Sequence, residues 1–118
     1  MAGRRAQRVG RQVVQTLASV VESGVHDPRL GGVTFTSAAA TDDLRTVRVF
    51  FTVFGDEAAR AVARADASAG LKAASGFLRR ELAHRLALRY VPSLVFEYDK
   101  SIDTAERIEK LLREGNDS

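Results

Sequence analysis

The alternation of apolar and polar residues divides the chain into elements before any other property is needed. From Arg5 to about Ser23, the residues Ala6, Val9, Val13, Leu17 and Val20 recur at three- and four-residue steps, which places them along one side of an amphipathic helix. Gly24 to Gly32 breaks that period. Within it Asp27-Pro28-Arg29 ends the helix, because Pro28 lacks a backbone donor and biases Asp27 away from helical angles. Period-two alternation follows. Val33 to Ala39 reads as a strand and Thr41-Asp42-Asp43 as a hairpin turn. Arg45 to Phe54 reads as a second strand, with Val47, Val49, Phe51 and Val53 on one face and Arg48, Phe50, Thr52 and Phe54 on the other. Phe50 and Phe54 are expected to lie under a helix, the commoner fate of strand aromatics, rather than to form a base-stacking platform.

Helical spacing returns after Gly55. The alanine-rich run Glu57 to Ala74 has high helix propensity, with Ala58, Val62, Ala65 and Leu71 as inner positions. Phe77 to about Leu88 carries Leu78, Leu82 and Leu86 inward at four-residue steps. Ser75-Gly76 stands at the join, where a glycine costs about 1 kcal/mol relative to alanine, so a kink is expected there. Pro92 closes this segment, and Leu94, Phe96 and Tyr98 alternate as a third strand. Ser101 to Leu112 reads as a short amphipathic helix through Ile102, Ile108, Leu111 and Leu112, capped by Asp103 or Ser101. The order α-β-β-α-kink-α-β with a trailing helix predicts an α+β domain with a three-stranded sheet. Its hairpin makes the first two strands antiparallel, and a right-handed crossover returns the third parallel to the second.

Length and composition narrow the class. At 118 residues, 45% apolar and 28% charged, the chain has the balance of one globular domain. The absence of cysteine removes disulfides, thiolate chemistry and zinc ribbons together. No apolar run reaches the roughly 18 residues of a membrane span, and Arg4-Arg5 precedes a mixed polar helix rather than an export signal, so a cytoplasmic location is expected.

The net charge of +3 is less informative than its distribution. Residues 1–93 hold 14 basic and 8 acidic side chains, whereas 94–118 hold 4 and 7. Fifteen of the 18 basic residues are arginine, whose planar fork matches phosphate oxygens, so an anionic polymer is the first partner to consider. The basic residues form two sets: Arg4, Arg5, Arg8 and Arg11 on the first helix, and Lys72, Arg79, Arg80, Arg85 and Arg89 around the kink. Positive charge in a first helical turn opposes the macrodipole, so something other than helix stability favours it. A charge run taken alone is as well explained by a solvated helix face; two basic helices sharing one side of the molecule would instead bind phosphates.

Candidate catalytic groups are sparse. His26 and His84 lie on different elements without ligand motifs beside them, and Asp42-Asp43 and Asp56-Glu57 sit where short acids satisfy backbone donors at turns and helix starts. The glycines form neither a dinucleotide fingerprint nor a P-loop nor a G-x-x-G loop. A non-enzyme without cofactor or metal is the reading.

Several fragments in fixed order carry more weight together than apart: Asp27-Pro28-Arg29-Leu30, Asp43-Leu44, Ala74-Ser75-Gly76-Phe77-Leu78-Arg79, Leu88-Arg89-Tyr90-Val91-Pro92, Phe96-Glu97-Tyr98-Asp99 and Ser101-Ile102. From about Arg5 to Leu112 the chain resembles the bacterial ribosome-binding factor A family. That resemblance implies a single type II KH-like domain in which an Ala-x-Gly kink, here Ala74-Ser75-Gly76, replaces the G-x-x-G loop. It also implies a small-subunit assembly factor that binds the immature 30S subunit and 16S rRNA, promotes maturation of rRNA ends and is important at low temperature. On this reading residues 1–100 form the RNA-binding domain and 101–118 a short helix and tail, and a monomer is the simplest state. The arginines would hold rRNA phosphates, while Ala74, Ser75 and Gly76 let the RNA backbone approach closely. Two alternatives are a single-stranded RNA module stacking bases on Phe50, Phe54 or Tyr98, and a docking module for an acidic protein.

Overall fold

The first helical period becomes α1 (Arg4–Gly24), and its buried side is made of Ala6, Val9, Gly10, Val13, Leu17 and Val20. This is a computed structural model describing residues 3–116. After a short 3₁₀ turn at Pro28–Leu30 come β1 (Val33–Ala40) and β2 (Thr46–Val53), then α2 (Glu57–Arg85), β3 (Ser93–Tyr98) and α3 (Ser101–Asn116). The Asp27 side chain accepts from the Arg29 backbone N–H and so starts the 3₁₀ turn.

β2 is the central strand. It pairs antiparallel with β1 and parallel with β3, in the order β1-β2-β3. The β1 register shifts between Phe35 and Ser37, so Thr36 is the extra residue of a bulge. Its hydroxyl is thereby free to donate to Asp99 Oδ2 at 2.6 Å, across the end of the sheet. Val47, Val49, Phe51 and Val53 of β2 are all buried, in one cluster with α1 and with Ala67, Leu71, Leu78 and Leu82 of α2. Both long helices therefore cover the same face.

The opposite face stays open, which corrects the expectation for its aromatics. Phe50 is half-buried, with the Arg48 guanidinium 5.7 Å from its ring centroid, and Phe54 is 78% exposed. With one layer of helices on a three-stranded sheet, nothing remains to cover the second face.

α2 also differs from the two-segment reading. It is one helix of 29 residues that runs without interruption through Ala74, Ser75 and Gly76 and ends at Arg85. The alanines on either side favour continuation, so one glycine does not break it. Ala58, Val62 and Ala65 are exposed rather than inner. The large side chains Leu71, Leu78 and Leu82 set the rotation of the helix. At about 100° per residue Val62 then falls on the side opposite Leu71, while Ala63 and Ala67 come into line with it.

α3 forms where expected, but it is held by polar contacts. Arg60 lies 3.1 Å from Asp103 Oδ1 and 2.8 Å from Glu106 Oε2, and the Tyr98 hydroxyl donates to Asp103 at 3.2 Å. Ile108, Leu111 and Leu112 face solvent, and the Ile102 side chain lies outside the described residues. No helix among the described residues is long and apolar enough to cross a membrane.

Candidate nucleic-acid interface

One end of the sheet collects three separated pieces of chain. The Gly3 backbone N–H donates to Asp42 Oδ1 at 2.7 Å, which fixes the start of α1 against the β1–β2 turn. Ser93 N–H donates to the Arg45 carbonyl at 2.8 Å, and Arg79 Nε donates to the Pro92 carbonyl at 2.7 Å. These two bonds bring the α2–β3 connection, and with it the C-terminal end of α2, to the same turn.

Gly10 is what lets α1 lie so close to the sheet. A Cβ built there would stand 2.6 Å from the Ala38 carbonyl oxygen, so no larger residue fits without separating α1 from β1. With Gly10 and its buried neighbours inward, Arg4, Arg5, Arg8 and Arg11 all point to solvent. They stand in the first turns of a helix that has no acidic residue in its first turn and no side-chain cap. Guanidinium charge and the positive end of the macrodipole therefore add at this end, a destabilising arrangement that a bound anion would relieve.

On α2, Lys72, Gly76 and Arg80 recur every fourth residue and so form one outward ridge, with Lys72 and Arg80 exposed. Space above Gly76 is open apart from Arg80, whose Nη1 lies 3.3 Å from where a Cβ would be. Ala74 and Ser75 are half-buried, and Ala74 packs against the core.

Two of the candidate arginines have other partners. Arg79 is partly buried and bonded to the Pro92 carbonyl, so it shapes the loop, and Arg85 Nε pairs with Glu81 Oε2 at 3.2 Å on its own helix. Arg4, Arg5, Arg8, Arg11, Lys72, Arg80 and Arg89 take part in none of the ion pairs among the described residues. Arg29, Arg48 and Arg60, by contrast, are committed to Asp27, Glu97 and the Asp103–Glu106 pair.

Carboxylates at the turn are themselves engaged. Asp42 accepts from Gly3, and Asp43 accepts from the Thr41 hydroxyl and the Arg45 backbone N–H. The Thr41 and Arg45 bonds hold the Asp43 carboxyl below the usual carboxylate range, so it stays ionised without an ion pair.

The structure adds two residues that sequence reasoning missed. Arg45, from the turn, stands with its guanidinium carbon 4.3 Å from the centroid of the Tyr90 ring, and Arg89 stands 5.4 Å from the same centroid. Arg45 was hidden by its place at a strand start. Tyr90 was hidden in a loop with no period to read. Tyr98, expected as a possible stacking residue, is instead taken: its ring meets Phe51 edge-on at 5.8 Å and lies under Arg64, while its hydroxyl serves Asp103.

Comparison with known proteins decides the family. A model described as Ribosome-binding factor A matches residues 5–112. The chain belongs to that family. It is 42% identical to ribosome-binding factor A of Trichlorobacter lovleyi, with 100% of this chain and 98% of the relative covered. The crystal structure of ribosome-binding factor A from Thermus thermophilus superposes with a TM-score of 0.61 at 25% identity, covering 79% of this chain and 94% of that one. A homology model of the Thermus factor, fitted into a cryo-EM map of its complex with the 30S subunit, superposes with a TM-score of 0.58 at 24% identity, covering 80% and 96%. Membership in the ribosome-binding factor A family agrees with the α+β architecture of three helices and a mixed three-stranded sheet.

Proposed function

We propose that this chain binds the immature 30S subunit through 16S rRNA, by the end of the molecule where α1 starts and α2 finishes. It acts there as an assembly factor that promotes maturation of rRNA ends, with importance at low temperature. It works in the cytoplasm as a monomer and catalyses no reaction itself. The observation that carries this reading is that the start of α1, with exposed Arg4, Arg5, Arg8 and Arg11, and the α2–β3 connection, with exposed Arg89, meet at one turn, none of these arginines taking part in an ion pair among the described residues. Guanidinium groups without acid partners neutralise phosphates at no loss of an existing pair, and release of counterions then drives association. The ridge of Lys72, Gly76 and Arg80, on the stretch of α2 that passes the C-terminal end of α1, offers a second place where a phosphate can approach the helix closely between two charges. Recognition rests on RNA shape and backbone, since A-form grooves present little sequence information to side chains. Binding to one arrangement of rRNA helices shifts the population of the maturing subunit toward it.

Cosedimentation with purified 30S subunits across a salt series tests the proposal. Arg8→Glu with Arg11→Glu, and separately Arg80→Glu, are expected to weaken binding and to lower the salt slope by about one for each phosphate no longer neutralised. Unchanged affinity and slope in both variants would place the interface elsewhere.

A further inference from the structure

The α2–β3 connection presents an aromatic ring next to two cations, with its flanking residues anchored. Leu88 is tied back to α2 by its N–H to the Ala83 carbonyl at 2.9 Å, and Pro92 is fully buried, with its carbonyl held by Arg79. Tyr90 and Val91 stand between those anchors, 43% and 46% exposed. The guanidinium of Arg45 lies over the Tyr90 ring from the hairpin turn and that of Arg89 lies beside it, and neither takes part in an ion pair among the described residues.

We propose that Tyr90, Arg45 and Arg89 form a stacking site for one unpaired nucleotide of RNA. This rests on the reading of the same end of the molecule as an RNA interface, and it names what that interface takes besides phosphate. A base stacks on an aromatic ring or on a guanidinium plane, and here both kinds of surface are adjacent on exposed residues. The two charges next to the ring suit the phosphates that flank such a base. The bases of a duplex hide their faces in the stack, so the ligand is a loop, bulge or single-stranded end. An acidic peptide would satisfy the two charges but would leave the ring without use.

The sequence supplies a spectroscopic probe, since the chain has no tryptophan and only two tyrosines, Tyr90 and Tyr98. Tyr98→Phe keeps the half-buried ring and leaves Tyr90 as the sole tyrosine emitter. Hexauridylate is expected to quench that emission at low salt, whereas a blunt-ended RNA duplex and a polyglutamate peptide are not. By calorimetric titration, which does not need the tyrosine emission, Tyr90→Ala is expected to lower affinity for hexauridylate about tenfold, Tyr90→Phe to retain it, and Arg45→Gln or Arg89→Gln to weaken it, all with unchanged thermal melting. Equal quenching by polyglutamate, or Tyr90→Ala binding hexauridylate as the parent does, would overturn the site. Parallel 30S cosedimentation separates the two claims. If Tyr90→Ala has no effect on either ligand while Arg8→Glu with Arg11→Glu abolishes 30S binding, the stacking site fails and the broader interface stands. If the parent chain quenches with hexauridylate but does not cosediment, the 30S reading fails and the nucleotide site stands.

Discussion

Gly10 and Gly76 are both glycines inside helices, yet they face opposite surroundings. At Gly10 an added methyl would meet the Ala38 carbonyl at 2.6 Å, a rigid backbone atom. Gly10→Ala is therefore expected to destabilise the protein by about 1–3 kcal/mol despite the gain in helix propensity, read as a lower urea midpoint. At Gly76 the same methyl would meet only the far end of Arg80, which can move aside into solvent. Gly76→Ala is expected to stabilise the fold by up to about 1 kcal/mol while weakening 30S binding, because it fills the space left for the RNA backbone. Opposite signs for stability and binding at one position would mark Gly76 as kept for function. Tighter binding in the more stable variant would remove it from the interface.

At the scale of elements, two junctions carry consequences. α2 ends in a Schellman pattern, with Leu88 N–H on the Ala83 carbonyl and Ala87 N–H on the His84 carbonyl. Ala87 occupies the left-handed position at φ 51, where a Cβ is crowded. Ala87→Gly is expected to raise stability by about 1 kcal/mol, seen as a higher melting temperature, without moving the loop that holds Tyr90. The second junction is Asp99, which accepts from the Ser101 N–H and hydroxyl and from the Thr36 hydroxyl, and so joins β3, the β1 bulge and α3. The Ser101 hydroxyl, then the Thr36 hydroxyl and the Ser101 backbone N–H, hold its carboxyl below the usual carboxylate range. Because the folded value is depressed, the stabilisation is full above the ordinary value and is lost as pH falls through the folded one. Amide exchange at the start of α3 is expected to accelerate as pH falls through that acid range, after correction for intrinsic rates. Asp99→Asn should be faster at neutral pH and lack the step.

For the whole molecule the consequence is polarity. Arg4, Arg5, Arg8, Arg45 and Arg89, which take part in none of the ion pairs among the described residues, stand toward the hairpin-turn end, while at the other end, where α3 begins, Arg60 pairs with Asp103 and Glu106 beside Arg64 and Arg107. α3 is thus anchored on the N-terminal half of α2, away from Arg80 and Arg89. Removing residues 101–118 is expected to leave the salt slope of 30S binding unchanged, in the same cosedimentation measurement, since those residues supply none of the unpaired arginines at the interface. A large gain in affinity on truncation would mean that the acidic tail competes with RNA for the basic end.

The amino-acid order alone determined which stretches are helix and strand, the burial of Val47, Val49, Phe51 and Val53, the parallel return of β3 and the family, because those follow from local period, turn chemistry and connected motifs. It could not determine the rotation of α2, since Ala58, Val62 and Ala65 satisfy helical spacing as well as Ala63 and Ala67 do. Packing of Leu71, Leu78 and Leu82 against the sheet broke that tie. Nor could it separate arginines with the same local pattern: Arg79 and Arg80 are neighbours, and only the arrival of Pro92 from the connection before β3 commits one to the fold and leaves the other in solvent. The grouping of Arg45, Arg89 and Tyr90 was likewise decided in three dimensions, because residues distant along the chain meet only when the sheet register brings Ser93 to Arg45.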